Sequence, residues 1–147
     1  MGTHLKLTAS DGHKFDAYRV DPAGTPKGGI VVIQEIFGVN RHIRSVADRF
    51  AALGYVAIAP ALFDRIEAGF ESGYSPEEVQ RAMRFVANPP MQAWLLDVAA
   101  AREVVPKYGD VRSIAEHRPI GALKRHILVI VQNSNLVLLH WHPSRGD

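Results

Sequence analysis

The chain has no cysteine among its 147 residues. That excludes disulfides, thiolate metal ligands and a cysteine nucleophile. It also lacks a large net charge: the balance is +2, too small to point to a nucleic-acid or membrane partner. Long apolar runs are missing as well. Met1 to Gly12 is polar and has no apolar core of the signal-peptide kind. The most apolar late stretch, His126 to Trp141, is broken by Gln132-Asn133-Ser134-Asn135, so it is too short and too polar to span a bilayer. A cytoplasmic location is therefore expected. No internal repeat or low-complexity segment is present. What remains is a one-domain length with 47% apolar and 22% charged residues, enough to bury a core.

The first two thirds of the chain reads as alternating strands and helices. Thr3 to Thr8 and Lys14 to Val20, separated by Ser10-Asp11-Gly12, predict a hairpin. Asp21 to Gly29, rich in proline and glycine, predicts a loop. Gly29-Ile30-Val31-Val32-Ile33 is a continuous β-branched run that suits a strand buried on both faces. Asn40 is placed to cap a helix with Ile43, Val46, Ala47, Phe50 and Leu53 on one face, and Gly54 to end it. Tyr55 to Ala59 predicts a second buried strand, stopped by Pro60. A strand–helix–strand unit of this kind implies a right-handed crossover in a parallel sheet. Ala61 to Tyr74 predicts a loop. Ser75-Pro76-Glu77-Glu78 is a helix start with serine cap, first-position proline and third-position glutamate. Asn88-Pro89-Pro90 breaks the chain before a further helix that carries Trp94, Leu95, Val98, Ala101 and Val105 on one face.

At Asp110 the text changes. Another buried strand is due, but Arg112 to Arg125 is polar. Residues 111–147 hold five basic and two acidic residues and four of the seven histidines. The apolar runs His126 to Val131 and Leu136 to Trp141 would suit a hairpin, or the product of a wrong reading frame. The expected organisation is thus residues 1–110 as one half-domain and 111–147 as a non-matching tail.

Glu35 falls just past the carboxyl end of the predicted buried strand, where open α/β sheets place ligand sites. A carboxylate there would sit in a partly dry pocket with a raised pKa. It would equally serve as a helix cap, or as a salt-bridge partner of Arg41 or Arg44. Ile36 would either pack or offer its backbone N–H to an oxyanion. Gly38 would hold a loop conformation other residues resist, or an ordinary turn.

The block Gly29 to Asn40, followed by Arg41-His42-Ile43-Arg44, Ala47-Asp48-Arg49-Phe50-Ala51 and Gly54 to Arg65, resembles the dienelactone hydrolase family. The likeness is specific over about Gly29 to Arg65 and looser over about Leu5 to Asp110. It implies an α/β-hydrolase fold, here the N-terminal strands and helices of a truncated, mostly parallel sheet. It also implies cofactor-free hydrolysis of small lactones and esters by a Cys–Asp–His triad, in which a glutamate after this strand helps set the protonation state of the cysteine. Position for position, that glutamate is Glu35. The loop after the strand supplies an oxyanion-hole amide in this fold, which by position is Ile36. Arginines in the region of Arg81 and Arg84 hold a substrate carboxylate in the family, although a solvated helix face explains these two as well.

The resemblance stops where the nucleophile belongs. A Gly-x-Cys-x-Gly or Gly-x-Ser-x-Gly elbow should follow a strand beginning near Asp110. There is no cysteine, and no serine has glycine on both sides at that spacing. Ser10 and Ser144 each have one. His117, His126, His140 and His142 do not match the family histidine. A frameshifted or truncated hydrolase is expected, with a genuine alternative C-terminus as the other reading. His140 and His142 share a strand face, but no third metal ligand stands at suggestive spacing, so no metal is expected. The basic tail carries no nucleic-acid motif. The two functional expectations are a hydrolase of small lactones or esters that lacks its nucleophile, and a non-catalytic fragment or assembly subunit that self-associates through an exposed sheet edge.

Overall fold

The computed structural model describes residues 2–105 and the strand at 128–131. The elements are β1 (Thr3–Thr8), β2 (Lys14–Val20), β3 (Gly29–Ile33), α1 (Arg41–Ala52), β4 (Val56–Pro60), a 3-10 turn (Leu62–Arg65), α2 (Pro76–Ala87), α3 (Met91–Glu103) and β5 (Leu128–Val131). The strands form one sheet in the order β1-β2-β4-β3-β5.

The period-2 alternation of strand side chains explains the layering. In β3, Ile30 and Val32 face one way, and in β4 Ala57 and Ala59 do the same. They meet Ile43, Val46, Ala47 and Phe50 of α1. Val31, Val56 and Ile58 face the other way and pack against Phe85 of α2 and Trp94, Val98 and Ala101 of α3. A β-branched run without polar interruption is what a strand covered by helices on both faces requires.

The local signals act as expected at most points. Asn40 caps α1, accepting from the backbone N–H of His42 and Ile43. Ser75 and Glu78 close a reciprocal capping box on α2. Two expectations need correction. Leu53 is 59% exposed because it is the C-cap of α1, one residue beyond the helix end and past its buried stripe. The sheet is mixed rather than mostly parallel: among the described residues only the β3–β4 pair, joined through α1, runs parallel. The tight turn at residues 9–13 forces β1 and β2 antiparallel, β2 pairs antiparallel with β4, and β5 lies antiparallel on β3. The predicted partner of β5, Leu136 to Trp141, lies outside the described residues.

Asp97 occupies the apolar face of α3, between Trp94 and Ala101, and is fully buried. It accepts from Arg65 Nε and Nη2, both at 2.7 Å. The other side of the same guanidinium donates to Asp11 at 2.8 and 3.2 Å. These two carboxylates, Asp97 foremost, hold the Arg65 proton more firmly than usual. One arginine thereby ties the turn after β4 to α3 and to the β1–β2 hairpin. A buried ion pair is costly to break because the remaining charge stays desolvated. We expect Asp97→Ala to lower unfolding free energy by about 3 kcal/mol in a urea titration. Asp11→Ala, on the exposed arm, should cost much less. Equal losses would show that burial does not decide the strength of this pair.

Candidate active site

β3 ends at Ile33, and the chain turns through Gln34 to Val39 before α1 begins. Gln34 Oε1 accepts from Leu62 N at 3.0 Å, fastening the end of β3 to the turn after β4. Its Nε2 is buried without a partner among the described residues. Gly38 N donates to Glu35 O at 3.3 Å, closing a tight turn around Ile36 and Phe37. Gly38 has φ +76°, and a Cβ built there would lie 2.1 Å from Phe70 O. Only glycine meets both demands.

The Glu35 carboxylate is half-buried and forms no hydrogen bond or ion pair with the described residues. Neither structural role open to it is realised among the described residues, where no ion pair joins it to Arg41 or Arg44. Asn40 caps the helix, and Arg44 binds Glu71 Oε1 at 2.5 Å and Val39 O at 2.6 Å. Burial pushes the Glu35 carboxyl above the usual carboxylate range, because water that would stabilise the anion is displaced. Next to it, the Ile36 side chain packs partly buried against the α2/α3 core. The Ile36 N–H donates to no described residue, so packing and a free amide coexist at this position.

Arg81 pairs with Glu67 and stacks 5.2 Å over the Phe70 ring, bracing the segment that touches Gly38. Arg84 is exposed on α2. Neither arginine is in contact with Glu35. A shallow cavity of about 590 Å³ opens at the start of α1, lined by Asn40, Arg41, His42, Ser72 and Tyr74 among others. Glu35 does not line it. Among the described residues no cluster of three metal-ligand side chains occurs, and no helix is long and apolar enough to cross a membrane. His117, His126, His140, His142 and Ser144 lie outside the described residues. Ser10 lies in the β1–β2 turn and is exposed.

Sequence reasoning missed Asp97, Arg65 and Gln34. The signal for Asp97 was present: three residues after Trp94 and four before Ala101, it falls on the apolar face of the helix.

A parallel strand pair joined by a helix, in a sheet with helices packed on both faces, defines an α/β protein, and Glu35 stands at the carboxyl edge of that sheet, where such folds place ligand sites. The sequence pattern of the dienelactone hydrolase family matches residues 15–115, and the chain belongs to that family. A Synechocystis sp. (strain ATCC 27184 / PCC 6803 / Kazusa) protein, provisionally named a carboxymethylenebutenolidase, is 61% identical over 71 residues, which is 48% of this chain and 29% of that protein. The carboxymethylenebutenolidase of Pseudomonas putida is 38% identical over 65 residues, 44% of this chain and 28% of its own. The crystal structure of a protein provisionally titled dienelactone hydrolase, from Klebsiella pneumoniae subsp. pneumoniae MGH 78578, aligns with TM-score 0.51 and 32% identity. It covers 67% of this chain and 42% of that one. The chain thus spans under half the length of each of these relatives. The family implies an α/β-hydrolase fold, of which the described residues form a part.

The folded chain binds the Glu35 proton more tightly than the unfolded chain does. Glu35 therefore favours folding while protonated, and that contribution is lost as pH rises through its raised pKa. Glu35→Gln is neutral at every pH. It should melt above the parent at pH 7, with the difference shrinking as pH falls toward about 4. A variant that melts at or below the parent at pH 7 would contradict the desolvated, unpartnered carboxylate.

Proposed function

We propose that the described residues form the carboxylate-and-oxyanion half of a dienelactone-hydrolase-type acyl-transfer site for small lactones or esters. The observation that carries this reading is the desolvated Glu35 carboxylate beside the Ile36 amide, both without a hydrogen-bond partner among the described residues, at the carboxyl end of β3. In a completed site a nucleophile attacks the substrate carbonyl. Its protonation state is set by Glu35, and the oxyanion accepts from Ile36 N–H. Collapse of the tetrahedral adduct breaks the ester or lactone C–O bond and expels the alkoxide, which takes up a proton; water then attacks the acyl intermediate, freeing the nucleophile and the carboxylic acid. Arg81 and Arg84 are weaker candidates for a substrate carboxylate, since Arg81 already holds Glu67.

The chain itself is proposed to be inactive. It has no cysteine and no serine in an elbow context. The strand beside β3 adds a second argument. A strand that leads to an elbow at this site must end beside Glu35. β5 runs the other way, with Leu128 opposite Ile33 and Val131 opposite Ile30, so its carboxyl end lies at the far edge of the sheet. We expect the purified chain to hydrolyse p-nitrophenyl acetate no faster than background. Turnover that is lost in Glu35→Ala but kept after removal of residues 111–147 would overturn this reading.

A non-catalytic assembly role is favoured by one feature. Among the described residues β5, an apolar strand, pairs on one side only. A strand edge of this composition, where no described strand pairs with it, invites pairing with a second copy. Sedimentation velocity should therefore show dimers or larger species that grow with concentration. A monomer across the accessible range would count against edge-to-edge assembly.

A further inference from the structure

We propose that Asn40 is a positioning residue for the Glu35 loop, using the two ends of its side chain for two different segments. This rests on the reading of Glu35 and Ile36 as site residues. Asn40 is 7% exposed. Its Oδ1 accepts from His42 N at 3.1 Å and Ile43 N at 3.2 Å. That is ordinary capping, which serine, threonine or aspartate would also supply. Its Nδ2 does something a cap does not require. It donates to Ser72 O at 3.3 Å and to Tyr74 Oη at 3.4 Å, more than thirty residues downstream.

The segment it reaches is the back wall of the Glu35 loop. Ser72 N donates to Phe37 O at 3.0 Å, and Gly38 bridges to both Glu35 and Glu71. The Phe37 and Tyr74 rings meet edge to face at 4.6 Å. Arg44, one turn into α1, holds Glu71. The start of α1, the Glu35 loop and residues 70–74 therefore form one interlocked unit. Asn40 joins the helix end itself to the back wall, beside the Arg44–Glu71 pair one turn on. Among the good capping residues, only asparagine carries an acceptor and an NH₂ donor on so short a stem.

The donor and acceptor roles separate in variants. Asn40→Ser keeps a neutral cap but lacks the reach to Ser72 O. Tyr74→Phe keeps the cap intact and removes one Nδ2 partner. In the full chain, amide exchange at Gly38 and Ser72 is read against exchange across the middle of α1, and the Glu35 side chain is titrated by carboxyl carbon NMR. We expect Asn40→Ser to speed exchange at Gly38 and Ser72 by about fivefold or more, with α1 changed by less than about twofold. The Glu35 midpoint should fall toward the ordinary carboxylate value as water enters. Tyr74→Phe should shift both readings in the same direction by less. Loop exchange and a Glu35 midpoint unchanged in either variant would reduce Asn40 to a cap. So would an α1 that opens as much as the loop in Asn40→Ser. Should the serine variant fail to fold, Tyr74→Phe decides alone, since it leaves the cap untouched. Loop exchange does not depend on any catalytic role for Glu35, so failure here and failure of the hydrolase reading are told apart.

Discussion

The geometry of the site depends on the turn at Gly38. The backbone there takes φ +76° and lies so near the Phe70 carbonyl that no side chain fits. That close approach lets residues 70–74 lie along the loop after β3 and bond to it through Phe37 and Gly38. It leaves Glu35 at the end of β3 without a cationic partner among the described residues. The turn is also what separates the end of β3 from the start of α1 by a short loop, so that α1 can cover one sheet face while Glu35 stays at the carboxyl edge.

The wall that Gly38 leans on is itself held by packing and charge. Phe70 meets Phe85 at 4.2 Å in a tilted pair and Phe63 at 5.8 Å, and Phe63 in turn meets Trp94 at 5.5 Å. Aromatic groups of this size supply much of the burial energy of a small core. Arg65 fixes the base of the same segment to α3 through buried Asp97. A loop that is polar and glycine-containing by sequence is thereby ordered from both ends. The organisation links distant parts of the chain: the hairpin turn through Asp11, α3 through Asp97, α2 through Arg81.

Where the sequence carried strong local signals, the fold was legible. The β-branched run at Gly29–Ile33, the cap at Asn40, the glycine at 54 and the box at Ser75 each state one local conformation, and each element formed there. Glu35 was legible as a site candidate because its place after a buried strand is a topological fact. The choice between pairing and solitude for its carboxylate was not, since Arg41 and Arg44 stand within reach in sequence and only three dimensions show Arg44 committed to Glu71. Strand direction beyond the one crossover and the β1–β2 hairpin was equally hidden, because a short apolar run reads the same in either sense. The second role of Asn40 and the pairing of Arg65 with Asp97 depend on residues 32 or more positions apart, which no local pattern encodes.

The proposed acyl-transfer role rests on the Glu35 carboxylate at the end of a buried strand, desolvated and without a partner among the described residues. Direct titration of the Glu35 side chain by carboxyl carbon NMR in the unaltered chain tests this. The account predicts a midpoint above the ordinary glutamate value of about 4.3. A midpoint at or below that value would mean that Glu35 is solvated or ion-paired, and that the loop does not hold a site.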